Sequence, residues 1–189
     1  MPAMPPPVLT ELDGLIEYIA QQQDAFRIVA FGLTDEQARL TPTAGTLSIG
    51  GLIKHVTHMQ AGWTDRIVSA PGPGTDHQRA DDEFALGEDE TLAGALAAFG
   101  AQSAATLAAV KDKGLDTPVP IPSAPWFPKD IDAWNVRWVA LHIVEELARH
   151  AGHADIIRET IDGATMYELL AAAEGWEPTD WLKPWTPKA

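Results

Sequence analysis

The longest helical pattern of the chain runs through LHIVEELARHAGHAD, residues 141–155. Potential metal ligands recur along this stretch at helical spacing: His142, Glu146, His150 and His153. At about 100° per residue, the four positions fall within an arc of about 80° on one side of the helix. Two such side chains spaced i, i+4 lie at neighbouring heights and can chelate one ion. The stretch therefore predicts a central helix that carries a candidate metal site.

A further candidate ligand lies much earlier, in LIKHVTHM, residues 52–59. His55 follows an apolar pair and precedes Val56, which predicts a place on the buried side or the margin of an amphipathic helix. An unpaired imidazole is costly there, so His55 needs a partner. Packing this helix against the late one predicts a site of two imidazoles and one carboxylate. That set is typical of catalytic zinc, and nickel or ferrous iron fits it nearly as well.

Composition limits the classes of function. The chain has 189 residues with a formal charge of −14, which disfavours binding to nucleic acid or to anionic membrane surfaces. It has no cysteine, so disulfides, thiolate metal sites and a cysteine nucleophile are excluded, and any thiol chemistry needs an external thiol. No signal peptide is evident, and no continuous apolar run reaches the roughly 18 residues of a membrane helix. We expect a cytoplasmic, soluble protein.

Hydrophobic periodicity predicts four long helices and no sustained strand alternation. The first covers residues 9–33 with Thr10 as N-cap, and the second ends at residue 68 with Ser48 or Thr46 as N-cap. The third covers 91–110. The fourth covers 133–161, with Asp130 or Asp132 as N-cap and Gly163 at its C-terminal end. Thr34 and Gln37 predict a capping box for a short helix, and 166–173 predicts a final one. A short hairpin is expected around Val119 and Ile121, because five prolines between 114 and 129 disfavour helix.

These patterns predict an all-α protein, a four-helix bundle with long crossover loops. We expect a single domain over residues 1–189, with a flexible N-terminus at 1–7 and a C-terminal extension at 164–189 that packs on the bundle. The extension contains Trp176, Trp181 and Trp185, which are expected to cover either the bundle or a second subunit, so a homodimer is one expectation. Trp63, Trp134 and Trp138 are expected either in the plain core or along a pocket near the metal.

Two motifs resemble the DinB superfamily over most of the chain. They are RLTP at 39–42 leading into TLSIGGLIKHVTHM at 46–59, and EELARHAGHADIIRE at 145–159. The similarity is greatest to an actinobacterial branch whose relatives include maleylpyruvate isomerases and transferases that use mycothiol or bacillithiol. The resemblance implies a DinB-type bundle with His55, Glu146 and His150 as metal ligands. Glu146 replaces the histidine of the commoner triad, as in the isomerase branch. His58, His142 and His153 remain candidates for an outer shell, and His58 or His153 could replace a ligand.

Three functions compete on these observations. The first is a metal-dependent S-transferase or isomerase that acts with a low-molecular-weight thiol on a small-molecule substrate. In this function Arg149 or Arg158 would bind a carboxylate of the substrate or of the thiol cofactor. Both arginines fit surface ion pairs with Glu145 and Glu159 equally well. The second is a hydrolase that uses zinc-bound hydroxide at the same ligands. The third is a non-catalytic protein that binds a metal or small ligand, or a damage-response scaffold.

Overall fold

The computed structural model of the chain describes residues 4–75 and 83–187. Its architecture is a four-helix bundle accompanied by two short helices. The long helices are α1 (Glu11–Val29), α3 (Ile49–Ser69), α4 (Leu92–Lys113) and α5 (Val136–Asp162), and the short ones are α2 (Asp35–Arg39) and α6 (Met166–Ala173). Helix α1 packs on α5 and α4, and α3 packs on the same two helices. The predicted all-α bundle is confirmed.

Most helix ends follow from local side-chain chemistry. A side-chain oxygen accepts a hydrogen bond from a backbone N–H three residues later at the N-caps of α1, α2, α3 and α4, which are Thr10, Thr34, Ser48 and Thr91. These bonds satisfy amide groups that the first turn of a helix leaves without partners. The predicted capping box with Gln37 is present. Helix α5 ends at Gly163, whose φ of 77° is the left-handed cap that glycine favours.

Helix α5 begins later than predicted. Residues Ala133–Asn135 form strand β2, which pairs antiparallel with β1 (Pro118–Pro120), so that Val119 lies opposite Trp134. The cap of α5 is Asn135, whose side chain accepts from the N–H of Trp138, and neither Asp130 nor Asp132 caps it. The prediction that the helix begins at residue 133 is wrong, because residues 133–135 pair with β1. Burial of Val119 stabilises the strand pairing, and this is a contact that helical periodicity cannot show.

The C-terminal segment packs on the end of α1. Leu169 and Leu170 of α6 form a small buried cluster with Ile28 and Ala164, and Trp185 packs against that cluster. The main core lies between the four long helices and includes Phe26, Ile53, Ile143 and Leu147, among others. Residues 1–3 of the predicted flexible N-terminus and residues 76–82 between α3 and α4 lie outside the described residues.

Helix α4 is the most apolar of the long helices by mean composition. By length and composition it could cross a membrane, and it is the one helix among the described residues with this property. Its alanines raise the mean hydropathy although glycine, glutamine and serine interrupt any continuous apolar run. In this structure its buried side, with Phe99 and Val110, faces the other helices of the bundle.

Candidate metal centre

The three predicted ligands lie together between α3 and α5. One side-chain nitrogen or oxygen from each of His55, Glu146 and His150 lies within 4.8 Å of the other two. Glu146 and His150 are one helical turn apart on α5, while His55 reaches them from α3, which packs on α5. The rings of His55 and His150 meet edge to face with their centres 4.6 Å apart. Three donor groups from two helices therefore converge at one point.

His55 is held by two neighbours from the connection between α3 and α4. Its Nδ1 is 2.8 Å from Oε1 of Glu83, and both side chains are buried. The ring of Phe84 stacks on the imidazole with a centroid distance of 4.1 Å. Burial lowers the pKa of His55 below its usual value, and the neighbouring His150 adds to this, while Glu83 opposes it. The neutral imidazole that results can donate a nitrogen lone pair to a metal ion.

Glu146 lies between two histidines. Its Oε2 is 3.4 Å from Nε2 of His150, and its Oε1 is 3.8 Å from Nε2 of His142. The contact with His150, together with the neighbouring imidazoles of His142 and His55, lowers the pKa of Glu146 in spite of its partial burial. The carboxylate is therefore ionised at neutral pH and supplies a negative charge to the cluster.

His150 has a buried ring nitrogen that lacks a hydrogen bond to the described part of the chain. Its Nδ1 has no hydrogen-bond partner within residues 4–75 and 83–187. Buried polar side-chain atoms are paired in most native structures, so an exception calls for a physical cause. Two imidazoles and one carboxylate are also the donor types that zinc, nickel and ferrous iron accept. The residues present thus fit a divalent cation.

The remaining candidates occupy different places. His142 is the nearest to the centre: its Nδ1 is 3.4 Å from Glu145, and with Glu145 and Glu146 it forms a second group of three potential ligands. The exposed His153 has its ring centre 5.9 Å from that of His150. His58 is exposed and lines a separate cavity of about 270 Å³ between α3 and the start of α4.

An aromatic wall lies beside the centre. Trp134 and Trp138 stack with their ring centres 3.8 Å apart, and His142 continues the stack at 5.1 Å from Trp138. Trp63 of α3 meets the ring of His142 edge to face at 5.2 Å, and Phe127 packs on Trp63 and Trp134. The wall joins Glu146 through His142 and reaches the surface at Trp138, which is 36% exposed. Trp63 is buried, as the core expectation has it, whereas Trp138 is partly open to solvent.

The two arginines have different surroundings. Arg149 is exposed, and its Nε donates to Glu145 at 3.2 Å, as the ion-pair alternative predicted. Arg158 is fully buried and donates to Asp162 and to the backbone carbonyls of Val29 and Phe31. Those bonds join α5 to the end of α1. A side chain without solvent exposure offers no surface to a small molecule, and this speaks against the predicted cofactor contact of Arg158.

The sequence gives no direct sign that Glu83 is buried against His55. It follows two aspartates in a polar, acidic stretch, so a solvent-exposed carboxylate was the natural expectation. The adjacent Phe84 is the one local sign of burial, because an aromatic residue in such a stretch needs an apolar surface to pack against.

Comparisons with known proteins agree with the bundle and with the superfamily. The family described as mycothiol-S-transferase matches residues 14–163 of this chain. A solved structure, the crystal structure of a conserved protein from Enterococcus faecalis, superposes with a TM-score of 0.53 at 16% sequence identity and covers 83% of this chain and 100% of its own. At that identity the likeness concerns the fold alone. No curated protein matches the chain significantly.

Proposed function

The chain belongs to the mycothiol S-transferase family of the DinB superfamily, and on that premise we propose that it is a divalent-metal-dependent S-transferase. Its co-substrate would be a low-molecular-weight thiol of the mycothiol type, and its second substrate a small electrophile. The observation that carries the proposal is the convergence of His55, Glu146 and His150 on one point. Two imidazoles and one carboxylate meet there from two helices, which is the set that the proposed metal chemistry needs.

Each residue of the centre has a definite part in the proposed reaction. His55 and His150 would hold the cation through ring nitrogens, and the ionised Glu146 would balance part of its charge. A bound divalent cation lowers the pKa of a coordinated thiol and so supplies a thiolate at neutral pH. The chain has no cysteine, so its own side chains cannot provide that sulfur. The three ligands would leave at least one coordination position open for the external thiol.

The aromatic wall would receive the electrophile. Trp134 and His142 stack on Trp138, so the part of Trp138 that remains exposed is the edge of this stack, and an apolar group packed against it would be close to His142 and Glu146. Aromatic surfaces of this kind also exclude water, which would otherwise compete with the thiolate. Arg149, at the exposed rim on the same helix, is the basic residue that we propose for a carboxylate of the thiol or the substrate.

The finer parts of the proposal are the metal, the location and the assembly. We take zinc as the metal because a set of two histidines and one glutamate is typical of catalytic zinc. A cytoplasmic enzyme without nucleic acid or membrane partners agrees with the charge of −14. A homodimer is retained as a proposal on account of Trp181, which is 78% exposed in the C-terminal segment.

The test is metal and thiol binding by the untagged protein. Wild-type protein should take up one zinc ion, and His150→Ala should weaken binding by more than about 100-fold, which is beyond the effect of losing an outer partner. The control is His58→Ala, since His58 is an exposed histidine three residues from His55. Mycothiol should raise the melting temperature of the zinc-loaded protein and leave that of His150→Ala unchanged. Hydrolysis of esters or amides without any response to thiols would instead identify a hydrolase.

A further inference from the structure

The segment formed by residues 83–90, called the strap below, crosses the first turns of α3. It packs directly against two consecutive helical glycines, Gly50 and Gly51. A Cβ on Gly51 would overlap the carbonyl oxygen of Phe84, and one on Gly50 would overlap the side chain of Leu86. Glycine is an unfavourable residue inside a helix, so a pair of glycines in this position has a packing reason. Close approach of the strap backbone to α3 is that reason.

Polar contacts fix the strap at its other end. Arg39 of α2 donates to the carbonyl of Leu86 at 2.7 Å and also to the carbonyl of Glu90. Lys54 of α3 forms an ion pair with the Glu90 carboxylate at 2.9 Å. The N–H of Leu92, just beyond the strap, donates to Asp35 at 2.7 Å. Helices α2 and α3 therefore hold the strap from two sides.

The start of the strap reaches the candidate metal centre. Glu83 is 2.8 Å from Nδ1 of His55, and Phe84 stacks on the same ring, so both the edge and the face of the imidazole are held. A carboxylate at Nδ1 favours the tautomer with its proton on that atom. The lone pair then lies on Nε2, and the ring cannot turn without breaking the contact with Glu83. A ligating histidine usually has such an outer partner, and its loss weakens metal binding.

We propose that Glu83 is the positioning residue of His55, and that Arg39 and the pair Gly50 and Gly51 act on metal affinity by holding the strap that carries it. The inference rests on the proposed function, because it takes His55 as a metal ligand. Metal affinity then depends on residues that do not belong to the ligand set. Arg39 in particular belongs to the short helix α2, and its contacts with the strap are to backbone carbonyls at residues 86 and 90.

Titration with Co²⁺, followed by visible absorption, tests the proposal on purified protein. Glu83→Ala should weaken Co²⁺ binding by about 10–100-fold and change the absorption spectrum of the bound ion, because the ring of His55 is no longer oriented. Glu83→Gln keeps an oxygen that can accept from Nδ1 and should recover part of the loss. Glu88→Gln is the matched control, since Glu88 is an exposed carboxylate in the same strap. It should bind Co²⁺ as the wild type does.

Two variants test the strap itself. Arg39→Ala and Gly51→Ala should each weaken Co²⁺ binding while the circular dichroism spectrum stays helical. Gly100→Ala is the control for the glycine, because a Cβ at Gly100 of α4 meets no atom of the described residues within 4 Å. If Glu83→Ala binds Co²⁺ with wild-type affinity and an unchanged spectrum, the positioning role is wrong although the metal centre stands. If the wild type itself fails to bind Co²⁺, the metal centre is wrong and the positioning role falls with it.

Discussion

Replacement of Arg158 by methionine should destabilise the protein strongly. The guanidinium is fully buried, and its Nη1 donates to the carbonyls of Val29 and Phe31 at 2.7 and 2.8 Å. Its Nε and Nη2 donate to the carboxylate of Asp162 at 3.0–3.1 Å, and its Cζ lies 4.8 Å from the ring centre of Trp185. Methionine retains most of the length of the side chain but none of its donors or charge.

The size of the effect follows from what the substitution leaves behind. The side chain of Asp162 is only 13% exposed, so its charge would lose the guanidinium in a poorly hydrated place, while the N–H of Ala164 still donates to it. Removing one member of a buried ion pair costs about 3–5 kcal/mol of unfolding free energy. Because methionine still packs against Trp185, we expect a loss of about 3–4 kcal/mol, near the lower part of that range. For a domain of this size the loss lowers the melting temperature by roughly 6–16 °C.

Thermal unfolding followed by circular dichroism measures this loss. Arg149→Met is the matched control, because Arg149 lies on the same helix, is exposed and pairs with Glu145 in a contact worth only about 0.3–0.5 kcal/mol. Arg158→Lys keeps the charge but not the planar fork, so its loss should lie between those of the other two variants. If Arg158→Met melted with the wild type and instead lost its response to mycothiol, Arg158 would be a cofactor-binding residue and the structural reasoning would be refuted.

Two further predictions concern stability. Burial and the neighbouring Glu159 raise the pKa of Asp155 to about 6, above the value of about 3.9 expected in the unfolded chain. The folded protein therefore binds more protons than the unfolded one between those values, and Asp155 lowers stability as the pH rises through that window. Asp155→Asn should be more stable than the wild type in urea at pH 8 and lose that advantage at pH 4; an equal gain at both would contradict the assignment. Ile143→Ala removes a fully buried side chain from the main core and should cost about 2–5 kcal/mol in the same assay. A loss below about 1 kcal/mol would show that the core is not closely packed there.

Much of the helical framework could be predicted because helix ends depend on nearby residues. Thr10 and Thr34 cap helices through bonds to backbone groups three residues away, and Gly163 ends α5 through its own backbone conformation. The pairing of Glu146 with His150 has the same local origin, since one helical turn separates them. At Ala133–Asn135 local periodicity predicted helix, but these residues form a strand because they pair with the distant strand β1.

The candidate site likewise has a part that local sequence predicts and a part that depends on tertiary contacts. The sequence by itself determined which residue types could bind a metal and which of them share a face of α5, because helical geometry sets both. Only the tertiary structure decided that Glu83 reaches His55 across 28 positions of the chain, and that Arg158 donates to a carbonyl at the end of α1. Such contacts depend on how a loop crosses a helix and how two helices pack. No periodicity in the sequence encodes them, because the energy that selects them appears only when separate segments bury each other.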